Sequence, residues 1–198
     1  MFTGIIKDIG RVEKIEKREG KTVLHIATKL SDTLSLGDSL AVNGCCLTVA
    51  SRQNDRVSVE ATAPTLTNTA LSLLRVRDRV NLEPALRLSD PLGGHMVLGH
   101  IDSVGVVRSF LRKKDYSVMA IAVPRPFQRY LVEKGSIAVD GVSLTLYSIR
   151  SAVMTVNVIP VTLQETMLAN KRAGDKVNIE FDYLVKTVSR LMNTRQHT

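Results

Sequence analysis

The chain has 198 residues, with 27 Lys plus Arg against 19 Asp plus Glu for a formal charge of +8, 44% hydrophobic residues, 4% aromatic residues and no Trp. Val, Leu and Ile are spread along the whole length, which excludes disorder as the main state and supplies apolar material for one or two cores. No run approaches the roughly 20 apolar residues of a membrane span. Lys7 interrupts Met1–Ile6, so the sequence does not open on a signal-type segment. The only cysteines, Cys45 and Cys46, are adjacent. Neighbouring side chains on a strand point to opposite faces, so both read as free thiols of a reducing compartment, and a cytoplasmic protein is expected. The cations are scattered, and the densest runs, Arg112-Lys113-Lys114 and Lys171-Arg172, fall in expected turns. Aromatic stacking residues are few, so nucleic acid is not the expected partner.

In chain order, Lys21–Ala27 and Arg56–Ala61 alternate in the manner of half-buried strands. Between them, 31–37 reads as a short helix and Val42–Thr48 as one strand. The segment after Thr65 reads as helical. From residue 99 onward the order repeats. Gly4-Ile-Ile-Lys-Asp-Ile-Gly10 matches Gly99-His-Ile-Asp-Ser-Val-Gly105 at an offset of 95, and Ser39–Thr48 matches Ser136–Thr145 at 97, as does Arg79–Glu83 with Lys176–Glu180. The chain is therefore a tandem duplication, with units 1–95 and 96–183 meeting near Gly93-Gly94. In the second unit, 126–135 has Pro at its start and Gly at its end, as a helix does; Met154–Val158 alternates as a strand; the segment after Thr162 is helical. Short strands broken by Gly, Asp and Asn turns favour small closed barrels, which leave no edges. The fold class is all-β with short helices, in two tandem copies. In 184–198, a helix sets Leu184, Val188, Leu191 and Met192 on one face, which must dock on its own or another chain.

Read as a strand, Val42–Thr48 puts Gly44, Cys46 and Thr48 on one face and Cys45 on the other; Gly141, Ser143 and Thr145 share the equivalent face. A glycine beside a small hydroxyl or thiol leaves room for a flat ligand. The same residues would also fill a tight barrel interior, and the pattern alone leaves both readings open. His100, whose repeat counterpart is Ile5, suits proton transfer, or is a hydrogen-bonded surface histidine. His95 reads as a turn residue; His25 and His197 read as surface residues. The spacings fit no usual metal site, and no Walker, Gly-x-Gly-x-x-Gly, His-Glu-x-x-His or Gly-x-Ser-x-Gly motif is present.

Met1-Phe-Thr-Gly-Ile5, Asn43–Thr48, Leu92–Asp102 and Val139–Thr145, in that order, resemble the riboflavin synthases. The resemblance implies two six-stranded Greek-key barrels per chain and a homotrimer joined by the C-terminal helix. It also implies a dismutation of two molecules of 6,7-dimethyl-8-ribityllumazine into riboflavin and 5-amino-6-ribitylamino-uracil, without metal or cofactor. Association with lumazine synthase is left open. By position it assigns Gly4, Ile5, Ile6, Cys46, Leu47, Thr48, Thr62, Ala63, Pro64 and Thr65 to an N-terminal substrate pocket. A C-terminal pocket receives Gly99, His100, Ile101, Lys134, Ser143, Leu144, Thr145, Ile159, Pro160, Val161, Thr162 and Leu163. Chemistry falls to His100, Cys46, Ser143, Thr145 and Asp182, with Phe2 ordering the N-terminal segment. Pro64, Val161 and Pro84 stand where the family often has Glu, a polar residue and Arg. Non-catalytic lumazine- or flavin-binding proteins of the same fold are the main rival.

Overall fold

The computed structural model describes residues 1–194, so His197 lies outside the described residues. The first closed barrel is built from β1 (Asp8–Arg18), β2 (Lys21–Ala27), β3 (Ser39–Val42), β4 (Cys45–Gln53), β5 (Arg56–Thr62) and β6 (Arg79–Pro84), paired around the circle as β1-β2-β5-β4-β3-β6. The second, from β7 (Ser103–Arg112), β8 (Ser117–Ala122), β9 (Ser136–Val139), β10 (Val142–Arg150), β11 (Val153–Val158) and β12 (Lys176–Phe181), closes in the same order, β7-β8-β11-β10-β9-β12. Each strand turns alternate residues inward, so each barrel carries its own buried core. Val12, Leu24, Ile26, Leu40, Val49, Val59 and Leu82 fill the first; Val107, Met119, Ile121, Ile137, Leu146, Met154, Ile179 and Phe181 fill the second. A bulge interrupts β1 between Val12 and Lys14, and its equivalent interrupts β7 between Val107 and Ser109.

Val42–Thr48 is not one strand. Asn43 and Gly44 form a two-residue hairpin loop with φ of 45° and 79°, and Asp140 and Gly141 repeat it at 45° and 81°. Asn-Gly and Asp-Gly supply the positive φ at both central positions that this turn requires. The two hairpins meet across a pseudo-twofold axis. A methyl group on Gly44 would come within 2.6 Å of the Gly141 amide nitrogen. Asn81 Nδ2 donates to the Asp140 carbonyl at 2.9 Å and Asn178 Nδ2 to the Asn43 carbonyl at 2.8 Å, so the barrels share a hydrogen-bonded seam.

The helices after Thr65 and Thr162 are present as α1 (Ala63–Asn68) and α2 (Pro160–Glu165). The other two expected helices shrink to 3₁₀ turns, Ser31–Thr33 and Arg125–Tyr130. In the second, Leu131 turns into an extended conformation and its side chain is buried in the core, which ends the turn before Gly135. The last element, α3 (Tyr183–Thr194), leaves Leu184, Val188, Leu191 and Met192 more than half exposed.

Candidate functional site at the crossed leader segments

The segments leading into the two barrels are exchanged. Residues 2–6, which precede β1, lie on the second barrel: the Ser143 amide donates to the Gly4 carbonyl at 2.8 Å, and Ile6 packs on the second core. Residues 97–101, which precede β7, lie on the first barrel: the Cys46 amide donates to the Gly99 carbonyl at 2.9 Å, and Ile101 packs on the first core. Phe2 and Val97 exchange backbone hydrogen bonds where the segments cross, and the Phe2 ring is fully buried there with Ala41 and Ala138.

A buried glutamate from the last strand of each barrel clamps each leader. Glu83 accepts the Thr3 amide and hydroxyl, both at 2.7 Å, and the Gly4 amide at 3.0 Å. Glu180 accepts the Leu98 and Gly99 amides at 2.7 and 2.9 Å. Burial raises the pKa of both carboxyls, and these donors work against it.

The crossing regroups the expected pocket residues. Gly4 and Ile5 belong with Ser143, and Gly99 and His100 with Cys46, the reverse of the expected sets. A hollow of about 450 Å³ opens on the outside of the second barrel. Ile5, Gly93, Gly94, Lys134, Ser143, Leu144, Thr145, Tyr147, Asn157, Ile159 and Thr162 line it. The barrel-interior alternative fails for the polar residues: Cys45, Leu47, Val142 and Leu144 are buried, whereas Cys46 and Ser143 are partly exposed and Thr48 and Thr145 exposed. Burial pushes the Cys45 thiol up to about 12, so it is not a nucleophile near neutrality.

The imidazole on Ser143 is that of His95, not His100. His95 Nδ1 sits 2.7 Å from Ser143 Oγ. Burial lowers the His95 pKa below the ordinary imidazole value, partly offset by the negative charge of Asp182. A neutral imidazole hydrogen-bonded to a hydroxyl is a proton-accepting pair. Gly94 permits this approach, since a methyl there would lie 2.9 Å from Ser143 Cβ. Asp182 also caps α3, its Oδ1 accepting the Leu184 amide at 2.9 Å. His100 is exposed.

Sequence reasoning missed His95 and Asn157. At the 95-residue offset the counterpart of His95 would precede Met1, so the repeat gave it no emphasis. Asn157 Oδ1 is buried without a hydrogen-bond partner and is an acceptor waiting for a donor at the hollow. Its counterpart Glu60 instead pairs with Lys21 at 2.7 Å. Lys134, at positive φ, holds its ammonium 4.6 Å from the Tyr147 ring centroid at the same hollow. Ala63, Pro64, Pro160 and Val161 are exposed in the first turns of α1 and α2. Leu163 packs on the second core, and Thr62 caps α1 by accepting the Thr65 amide.

The family model for the lumazine binding domain matches residues 3–85 and again 98–182. The chain is 41% identical over 198 residues to the riboflavin synthase of Chlamydia pneumoniae, covering 97% of each. It is 37% identical to that of Actinobacillus pleuropneumoniae, covering 97% of this chain and 90% of the other. The chain belongs to the riboflavin synthase family. Among solved structures, LumP complexed with riboflavin matches with a TM-score of 0.86 at 26% identity. LumP complexed with 6,7-dimethyl-8-(1'-D-ribityl) lumazine matches at 0.83 and 25%; each covers 91% of this chain and 99% of the other. The two matches of the lumazine binding domain coincide with the two barrels, and the stretch between them, 86–97, contains His95.

Proposed function

We propose that the chain dismutates 6,7-dimethyl-8-ribityllumazine, moving a four-carbon unit from one molecule to another to give riboflavin and 5-amino-6-ribitylamino-uracil, the last step of riboflavin biosynthesis. The His95–Ser143 contact carries the reading. The lumazine C7 methyl is acidic because the ring delocalises the resulting carbanion. A lumazine over Ser143–Thr145 meets the hydroxyl–imidazole pair that takes that proton, while burial keeps the imidazole neutral and ready to accept it. Asn157 Oδ1 accepts a ring or ribityl donor, and Lys134 brings positive charge to the mouth. Two lumazines contain all the atoms of the two products, so no outside reductant or carbon donor is needed.

The second lumazine takes the equivalent face of the first barrel, beside Cys46, Thr48, Thr62, Thr65 and His100. Two similar but unequal pockets suit a reaction in which one molecule donates and an identical one accepts. The pockets come together between units 1–95 and 96–183 of neighbouring chains in a homotrimer. The exposed apolar face of α3 supports this, because four neighbouring large apolar side chains left in water ask for a partner surface. We assign the protein to the cytoplasm on its adjacent cysteines, Cys45 and Cys46, which suit a reducing compartment as free thiols.

The similarity to LumP favours a second reading, a lumazine- or flavin-binding protein without catalysis. Incubation with the lumazine separates the two. Riboflavin absorbance and fluorescence growing with time supports catalysis, and saturable binding without riboflavin supports the second reading.

A further inference from the structure

The sequence's two densest basic runs take no part in the site above, and the fold brings them together. Arg108 and Arg112 lie on β7. Residues 169–173, the loop ahead of β12, run beside them. With Ser109 and Phe110 these segments line an open hollow of about 580 Å³ whose lining contains Arg108, Arg112, Lys171 and Arg172 and no carboxylate. Its walls are pinned: Arg112 donates to the Ala169 carbonyl at 2.9 Å, the Gly174 amide to the Val107 carbonyl at 2.9 Å, and the Arg172 amide to Asp175 Oδ2 at 2.7 Å. Asp140, buried in the seam between the barrels, pairs with Lys171 at 2.6 Å. The field in the hollow therefore comes chiefly from the three arginines.

The duplication provides an internal comparison. At the offsets of the repeat, Arg112 and Arg172 correspond to the cations Lys17 and Arg75, whereas Arg108 corresponds to Glu13 and Lys171 to Leu74. In the first barrel Glu13 pairs with Arg11 at 3.1 Å and with Arg56 at 2.6 Å, so an ion-paired carboxylate stands where the second barrel has Arg108. The barrel itself does not demand Arg108 and Lys171; at these two positions the second copy has cations where the first has a carboxylate and an apolar residue.

We propose that this hollow binds a small phosphate-bearing anion. Guanidinium forks match phosphate oxygens bidentately and are less strongly hydrated than ammonium groups. The volume lies within the usual range of small-molecule sites. The cations converge on one hollow, and the lining offers one aromatic ring, that of Phe110, whereas a nucleic-acid strand asks for a basic track with several stacking platforms.

Titration calorimetry of the full-length protein with inorganic pyrophosphate at low salt tests this. Saturable binding at one site per chain is expected. Arg108→Gln with Arg172→Gln should weaken it at least tenfold while lumazine turnover and thermal unfolding stay unchanged. Both side chains are exposed, so the fold should tolerate the change. Asn170→Asp, which sets a carboxylate in the hollow, should weaken binding in the same direction. Absence of saturable binding, or equal affinity in the double variant, overturns the proposal. So does a single-stranded oligonucleotide that binds far more tightly than pyrophosphate with a salt dependence of several released counterions, which would make the patch a nucleic-acid surface.

Discussion

Gly4→Ala probes the crossed leader at its tightest point. Gly4 has φ of +79°, and a methyl there would lie 2.6 Å from Ser143 Cβ and 2.8 Å from its amide nitrogen. An L-residue in the left-handed region costs about 1–2 kcal/mol. Relieving the clash breaks the bond from the Ser143 amide to the Gly4 carbonyl, a further ~0.5–1.5 kcal/mol. Gly20→Ala is the control, because Gly20 has φ of +72° and nothing within 4 Å of the added methyl; it carries the backbone cost alone. At roughly 2–4 °C per kcal/mol for a chain of this size, Gly4→Ala should melt roughly 1–6 °C below Gly20→Ala. The larger effect should be on rate: an ångström-scale shift of a reacting group costs on the order of 100-fold, so turnover should fall steeply in Gly4→Ala and hold in Gly20→Ala. Thermal unfolding and steady-state lumazine turnover check both. If Gly4→Ala matches Gly20→Ala in melting temperature and keeps full turnover, the leader does not position Ser143.

Further outcomes follow from the site and the terminal helix. His95→Ala should lower turnover roughly 100-fold or more while costing lumazine binding only about 0.5–1.5 kcal/mol, read by steady-state rates against fluorescence titration; His100→Ala leaves the Ser143 pair intact and should do less to the rate. Because burial lowers the His95 pKa, the neutral base persists as the pH falls, and the acid limb of the rate profile should lie below about 6.5. By linkage, the unfolded chain takes up this proton near pH 6.5 while the folded one resists, so this residue's effect on stability is flat above that pH and destabilising below it; His95→Ala should remove that component from pH-dependent unfolding. Leu191→Asp changes a side chain that is 62% exposed in the isolated chain. It should leave a single chain's fold intact but shift sedimentation from trimer toward monomer with loss of turnover; an active trimer would contradict the assigned interface.

The duplication made the barrels readable from sequence, because blocks such as Ser39–Thr48 and Ser136–Thr145 recur in one order at nearly one offset, and the alternating stretches Arg56–Ala61 and Met154–Val158 fall at matching places. The turns were harder. Asn43-Gly44 sits between two apolar stretches and passes for strand, although its residues suit a hairpin. The crossing of the leaders was hidden for a different reason. A repeat alignment pairs Gly4 with Gly99 and suggests that each serves only the barrel that follows it, whereas their carbonyls accept the amides of Ser143 and Cys46 on the other barrel. Neither these contacts nor the Glu83 and Glu180 clamps, at separations of about 80 residues, are carried by local pattern. His95 escaped because a histidine after two glycines resembles a turn and has no copy in the first unit. Asn157 escaped because one polar residue in an alternating strand looks like its solvent face.

The most direct measurement is the stoichiometry of a reaction supplied only with 6,7-dimethyl-8-ribityllumazine, followed by chromatography of all three pyrimidine species. Two lumazines should disappear for each riboflavin formed, with one 5-amino-6-ribitylamino-uracil accumulating alongside it, and His95→Ala should slow all three changes together. Tight lumazine binding with no riboflavin, or riboflavin formed without the equimolar uracil, would contradict the account.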